Sequence, residues 1–277
     1  MGGLKSRFTR VGALRVHARV GGLDSPGGPI VLLHGIGVSS RYFVPLGLRL
    51  APAHPVLAVD LPGFGRSDKP AEPLDIPGLG RALEAWLDAV GLERPALVAN
   101  SMGCQVAVDL AARSPGRLGP LVLTAPTVDP HERSATRQLE RLLEDSKREP
   151  RSLLPIILAD YARFGLVRFF WTAEFTLRDR IEDKLPHVAQ RTLVISGERD
   201  ALVPPSWARE AAALLPRGRV EVLPGEAHAC HYSAPGRVAE LVRSFLEEGE
   251  EGGGERLGRV EHGRVPGAGE DDEADVG

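Results

Sequence analysis

Between residues 8 and 20 apolar and polar positions alternate loosely around a glycine (FTRVGALRVHARV), which predicts two short antiparallel strands joined by a turn. The pattern then changes. PIVLLHG (29–35) and HPVLAVDLPG (54–63) are continuous apolar runs ending in Gly or Pro, as strands buried on both faces do. Parallel strands of that kind need helices between them. DIPGLGRALEAWLDAVG supplies one, with Leu79, Leu83, Trp86, Leu87 and Val90 at helical spacing and Gly91 as its stop. A strand (PALVAN), a helix (MGCQVAVDLAARSP) and a strand (LGPLVLTAP) follow, a βαβ rhythm that predicts right-handed crossovers in a mainly parallel sheet.

After Pro126 the rhythm breaks. Residues 130–185 carry helical spacing and no good strand; Ala135, Leu139, Leu142, Leu143 and Ser146 share one face of a charged helix, and a Leu/Ile/Phe-rich stretch follows Pro155. Sheet pattern resumes at RTLVISGERD (191–200), continues through the helix SWAREAAALLP and the strand RVEVLPG, and closes with the helix APGRVAELVRSFLEE. The expected organisation is an α/β core from residues 1–126 and 188–248, a helical cap inserted over 127–187, and a tail over 249–277. That tail is rich in Gly and charge and poor in large apolar residues, so it is expected to be disordered.

At 277 residues with 43% hydrophobic content the chain can bury one large core, and one domain with an insertion fits it better than two equal domains. A formal net charge of −3 supplies no basic field to draw in nucleic acid or an anionic membrane. The first residues include basic side chains but no apolar run of signal-peptide length, and no later stretch approaches a membrane span. The expectation is a cytoplasmic protein acting on a small molecule, with no nucleic-acid or membrane partner; the oligomeric state stays open. Cys104 and Cys230 are too few for a disulfide framework and lack partners at zinc-site spacing. Both read as small buried apolar residues, and no metal is expected.

The candidate chemistry centres on LVANSMGCQV (97–106), where an apolar run ends at Asn100, a lone serine follows, and Gly103 sits two places later. On local sequence alone Ser101 is a helix N-cap. A serine hydroxyl near neutral pH is a poor nucleophile and needs a base, and exposure enough to reach a carbonyl carbon. A tight strand-to-helix turn gives that exposure and aims the first helical N–H groups at the oxygen that turns negative in the transition state.

Four further motifs accompany NSMG (100–103): HGIG (34–37), DLPGFGRSD (60–68), SGERDALVP (196–204) and PGEAHACHYSAP (224–235). Through these motifs, in this order, the chain resembles the α/β-hydrolase family from about Phe8 to Glu248. The resemblance implies a mainly parallel sheet flanked by helices with an inserted cap, and a nucleophile elbow of the GxSxG kind. It places the nucleophile on Ser101, the acid on Asp200 and the base on His228, with the backbone N–H groups of Ile36 and Met102 as the oxyanion hole. No cofactor is implied. Two departures stand out: Ala99 replaces the first glycine of GxSxG, and GEAH stands where the family more often has GxGH.

Each role has a rival. Asp129 follows the preceding strand, where some relatives carry their acid, and His231 lies close to His228. His34 is expected to shape its loop, and Asp60 and Asp68 to fix turns. The cap carries Tyr161, Phe164, Phe169, Phe170, Trp171 and Phe175; Phe169, Phe170, Trp171 and His231 are the candidates to line a substrate pocket, since such pockets are mostly apolar. No convergent Arg or Lys pair stands out to grip a phosphate or dicarboxylate. The expected activity is serine-based hydrolysis of a carboxylic ester with a small to medium, mostly apolar acyl group. The alternatives are a carbon-carbon bond hydrolase of diketone-like ring-cleavage products, a thioesterase or lactonase, and, from another class, a ligand sensor with little turnover. A dinucleotide site is excluded, because GFGRSD lacks the third glycine and GGGER lies in the tail.

Overall fold

The computed structural model describes residues 3–251. Its eight strands are β1 (Lys5–Val11), β2 (Leu14–Gly21), β3 (Ile30–Leu33), β4 (Val56–Val59), β5 (Ala96–Asn100), β6 (Leu121–Thr124), β7 (Thr192–Gly197) and β8 (Gly218–Leu223). They form one sheet in the order β1-β2-β4-β3-β5-β6-β7-β8. Strand β2 runs antiparallel to β1 and β4; the remaining neighbours are parallel. The most apolar runs are interior strands: every residue of β3, β4 and β6 is buried. Both faces of the sheet are therefore covered.

The helices are α1 (Val44–Leu50), α2 (Ile76–Ala89), α3 (Met102–Arg113), α4 (Ala135–Ser146), α5 (Leu154–Phe164), α6 (Leu166–Arg178), α7 (Ile181–Lys184), α8 (Pro205–Leu214), α9 (Cys230–Ser233) and α10 (Pro235–Glu251). Helix α2 starts where Asp75 accepts a hydrogen bond from the Gly78 N–H at 2.7 Å, with Pro77 in its first turn. Its buried face, Leu79, Leu83, Trp86 and Leu87, joins α3 and α8 in one apolar layer; α1 and α10 contribute Leu46, Leu50, Val238, Val242 and Phe245 to the other.

Between β6 and β7 come α4 to α7, the segment expected to form the cap. Lys184 on α7 fastens it to the core: its ammonium lies between Asp109 of α3 (2.9 Å) and Asp179. Gln105 of α3 also donates to the Thr176 carbonyl at 2.9 Å.

Three expectations change. Helix α1 goes unread in the sequence, because Pro45 and Gly47 interrupt its apolar positions. In α4 the apolar face is only partly covered: Leu142 packs on the core, but Leu139 and Leu143 are each 57% exposed, while Asp145 is buried. Helix α10 continues to Glu251, so the first positions of the expected tail are helical; residues 252–277 lie outside the described residues. Among the described residues no helix is long and apolar enough to cross a membrane.

Candidate active site

Strand β5 is buried throughout and hydrogen-bonded between β3 and β6. At its end Ser101 adopts φ 55°, ψ −125°, and α3 begins at the next residue. A non-glycine residue in that region carries strain of about 1–3 kcal/mol, so its surroundings must hold it. The Ser101 N–H donates to the Thr124 carbonyl at 3.0 Å and the Ser101 carbonyl accepts from Cys104 at 2.9 Å. Gly103 is required here: a Cβ at this position would lie 2.6 Å from the Leu33 oxygen and 2.7 Å from the His34 oxygen. Ala99, the departure from the family pattern, is wholly buried on β5, paired with Leu33 and Leu123. Its methyl sits within the apolar core.

Asp200 follows β7 and is 4% exposed. One carboxylate oxygen accepts the N–H groups of Leu202 (2.9 Å) and Val203 (2.7 Å); the other lies 3.0 Å from His228 Nδ1. The backbone bonds fix the carboxylate, and the carboxylate fixes the ring so that Nδ1 carries a proton and Nε2 is the nitrogen left to act. Burial alone would lower the imidazole pKa, but the charge and hydrogen bond of Asp200, with the charges of Asp145 and Glu149, outweigh it and push the pKa up to about 9. Asn100 joins the serine turn to the histidine loop by donating to the His228 carbonyl at 3.4 Å. Ser101 Oγ makes no hydrogen bond to His228 here; such contacts are often long before substrate binds.

The rivals are engaged elsewhere. Asp129 caps the His131 N–H at 3.0 Å and pairs with Arg141 at 3.5 Å. His34 is wholly buried, and burial holds its pKa below the ordinary value. Its Nδ1 lies 2.8 Å from the Gly35 carbonyl and its Nε2 accepts the Leu61 N–H at 3.1 Å, so it ties the 34–37 loop to the loop after β4. Asp60 accepts from the N–H groups of Ser40 (2.6 Å) and Arg66 (2.8 Å) and lies 2.8 Å from His17 Nδ1. Asp68 receives the Arg15 N–H at 2.8 Å.

The 34–37 loop runs beside the serine: a Cβ on Gly35 would lie 3.1 Å from Ser101 Cβ. Among the described residues the N–H groups of Ile36 and Met102 have no protein acceptor. Above this loop lies the cap. Tyr161 packs on Gly37, where a Cβ would come within 2.6 Å of its ring, and Asp160 accepts the Ser39 hydroxyl at 2.6 Å.

The structure does not bring the four pocket candidates together. Phe169 is partly buried and packs at a tilt against Tyr161, 5.3 Å between ring centroids. Phe170 and Trp171 are 69% and 52% exposed. His231 has no accessible surface and lies between the rings of Tyr42 (4.2 Å) and Phe43 (4.3 Å), so it offers nothing to a substrate in this state. Sequence reasoning missed three cap carboxylates, the buried Asp145 and Asp160 and the half-buried Glu149.

A family model described as the alpha/beta hydrolase family matches residues 30–241. The chain is 30% identical over 245 residues to the biotin biosynthesis bifunctional protein BioHC of Cellvibrio japonicus, covering 79% of this chain but only 47% of that protein. It is 30% identical over 247 residues to the pimeloyl-[acyl-carrier protein] methyl ester esterase of Neisseria meningitidis, covering 79% of this chain and 93% of that one. Among solved structures, a thermophilic esterase from Thermogutta terrifontis superposes with a TM-score of 0.72 at 21% identity, over 88% of this chain and 98% of that chain. The sheet order, the elbow and these matches lead to one conclusion: the chain belongs to the alpha/beta hydrolase family.

Proposed function

We propose that the chain is a serine hydrolase that cleaves a carboxylic ester through an acyl-enzyme. The observation that carries this reading is the buried Asp200–His228 pair, 3.0 Å between Oδ2 and Nδ1, on loops adjoining a serine held at φ 55°. In acylation Ser101 Oγ attacks the ester carbonyl carbon as its proton passes to His228 Nε2. The carbonyl oxygen gains the negative charge and is met by the N–H groups of Ile36 and Met102, each such donor being worth about 3 kcal/mol of barrier. The C–O bond to the alcohol then breaks and Nε2 returns the proton to the leaving oxygen. Water enters by the same route in reverse order, giving the acid and free Ser101. Asp200 holds the ring and offsets its positive charge without taking the proton.

An ester substrate is supported by the relative named a methyl ester esterase, and a mostly apolar acyl group by the cap's Tyr161 against the 34–37 loop. A fluorophosphonate, which phosphonylates activated serines, tests the reading. It is expected to label the peptide carrying Ser101, and labelling is expected to fail in His228→Ala. Equal labelling in that variant, or none in the wild type, contradicts it.

A further inference from the structure

The cap reaches the candidate acid and base through one short segment. Asp145 accepts the Ala201 N–H at 3.2 Å, Arg148 donates to the Arg199 carbonyl at 2.6 Å, and Glu149 accepts the Ala229 N–H at 2.7 Å. Each backbone group lies one residue from Asp200 or His228. The same segment therefore grips both loops, and does so with two acids.

The Glu149 N–H donates to the Asp145 carbonyl at 3.3 Å, which sets the two acids one helical turn apart, where each acts on the other's proton. Glu149 Oε2 is buried and has no donor among the described residues, and a proton held between the two carboxyls would satisfy it. Two carboxylates sharing a buried site do not both ionise readily. Burial pushes both upward, Glu149 to about 7 against the opposing Ala229 N–H.

We propose that Asp145 and Glu149 share one proton and serve as positioning residues that set how strongly His228 holds its own proton. The proposal rests on the triad reading above. Two other charged groups on these loops are each paired, Arg148 with Glu144 and Glu226 with Arg237, and the buried groups beside the imidazole carry no charge at neutral pH. Burial keeps His231 on α9 neutral, far below its ordinary value, and pushes the Cys230 thiol and the Tyr42 phenol upward. That leaves Asp200, Asp145 and Glu149 as the charges that His228 feels. With all three ionised the imidazolium is over-stabilised and the base is occupied at neutral pH. A proton on the cap pair removes one charge and frees Nε2. As pH rises the pair ionises and strengthens the hold of His228 on its proton, so the two events oppose each other.

Glu149→Gln separates charge from geometry, because the amide oxygen still accepts the Ala229 N–H. The imidazole signals of His228 are followed by NMR titration in a Ser101→Ala background, which needs no turnover. The expected result is a His228 midpoint lowered by about one pH unit or more, with the acid limb of kcat/KM moving the same way in the Ser101 enzyme. A midpoint and limb that stay in place overturn the proposal. Asp145→Asn carries the same test should Glu149→Gln fail to fold. An absence of ester turnover in every protein would count against the hydrolase reading, and the NMR midpoint would still decide this one.

Discussion

Gly103 lies against the carbonyls of Leu33 and His34, so closely that a Cβ would stand 2.6 Å from the first. The serine turn and the neighbouring loop are thus one packed unit. Adding a methyl must push β3 away from α3.

Gly103→Ala is accordingly expected to cost about 1–3 kcal/mol in urea unfolding and to lower kcat as the Ile36 and Met102 N–H groups separate. A variant with unchanged midpoint and rate would show that this packing is slack.

Asp200→Asn and Asp129→Asn should behave oppositely. The first removes the acceptor that fixes the His228 tautomer and is expected to lower kcat by about 10⁴-fold. The second loses only a cap and the largely buried Arg141 pair, so the cost falls on stability and kcat should stay within about a factor of two. Steady-state kinetics on one ester decides between them.

Lys184→Met would leave Asp109 and Asp179 facing each other where α7 meets α3. The expected loss is about 2 kcal/mol, less than for a fully buried pair because 23% of the lysine side chain is accessible. Chemical denaturation measures it, and limited proteolysis should show the cap cut first.

Stability should fall from mildly acid to alkaline pH. Glu149 is raised from 4.5 to about 7, so the folded state holds its proton more tightly and the gain is lost between those values as pH rises. His228 is raised from 6.5 to about 9; its gain is complete below 6.5 and lost through about 9. Tm measured across this range should decline, and His228→Gln should flatten the upper part of the decline. A Tm that rises from pH 6.5 to 9 would contradict the His228 assignment, and one that rises from pH 4.5 to 7 the Glu149 assignment.

The sheet and the triad candidates were legible because each sits just past an apolar run that ends in Asn, Gly or Pro, so Ser101, Asp200 and His228 mark strand ends. What lies over them was not. Asp145 and Glu149 are two acids among many in a charged stretch, and only the fold of the cap brings them to Ala201 and Ala229. His231 sits in a polar-looking stretch, and its burial depends on Tyr42 and Phe43 from the opposite end of the chain. Leu139 and Leu143 have helical spacing yet remain exposed, since periodicity reports a face and not what covers it.

The most direct test of the central claim is hydrolysis of p-nitrophenyl esters, from acetate to a long acyl chain, by the wild type and Ser101→Ala side by side. Turnover with a chain-length optimum is expected in the wild type, and a loss of about 10⁴-fold or more in the variant. Equal rates in the two proteins would contradict it.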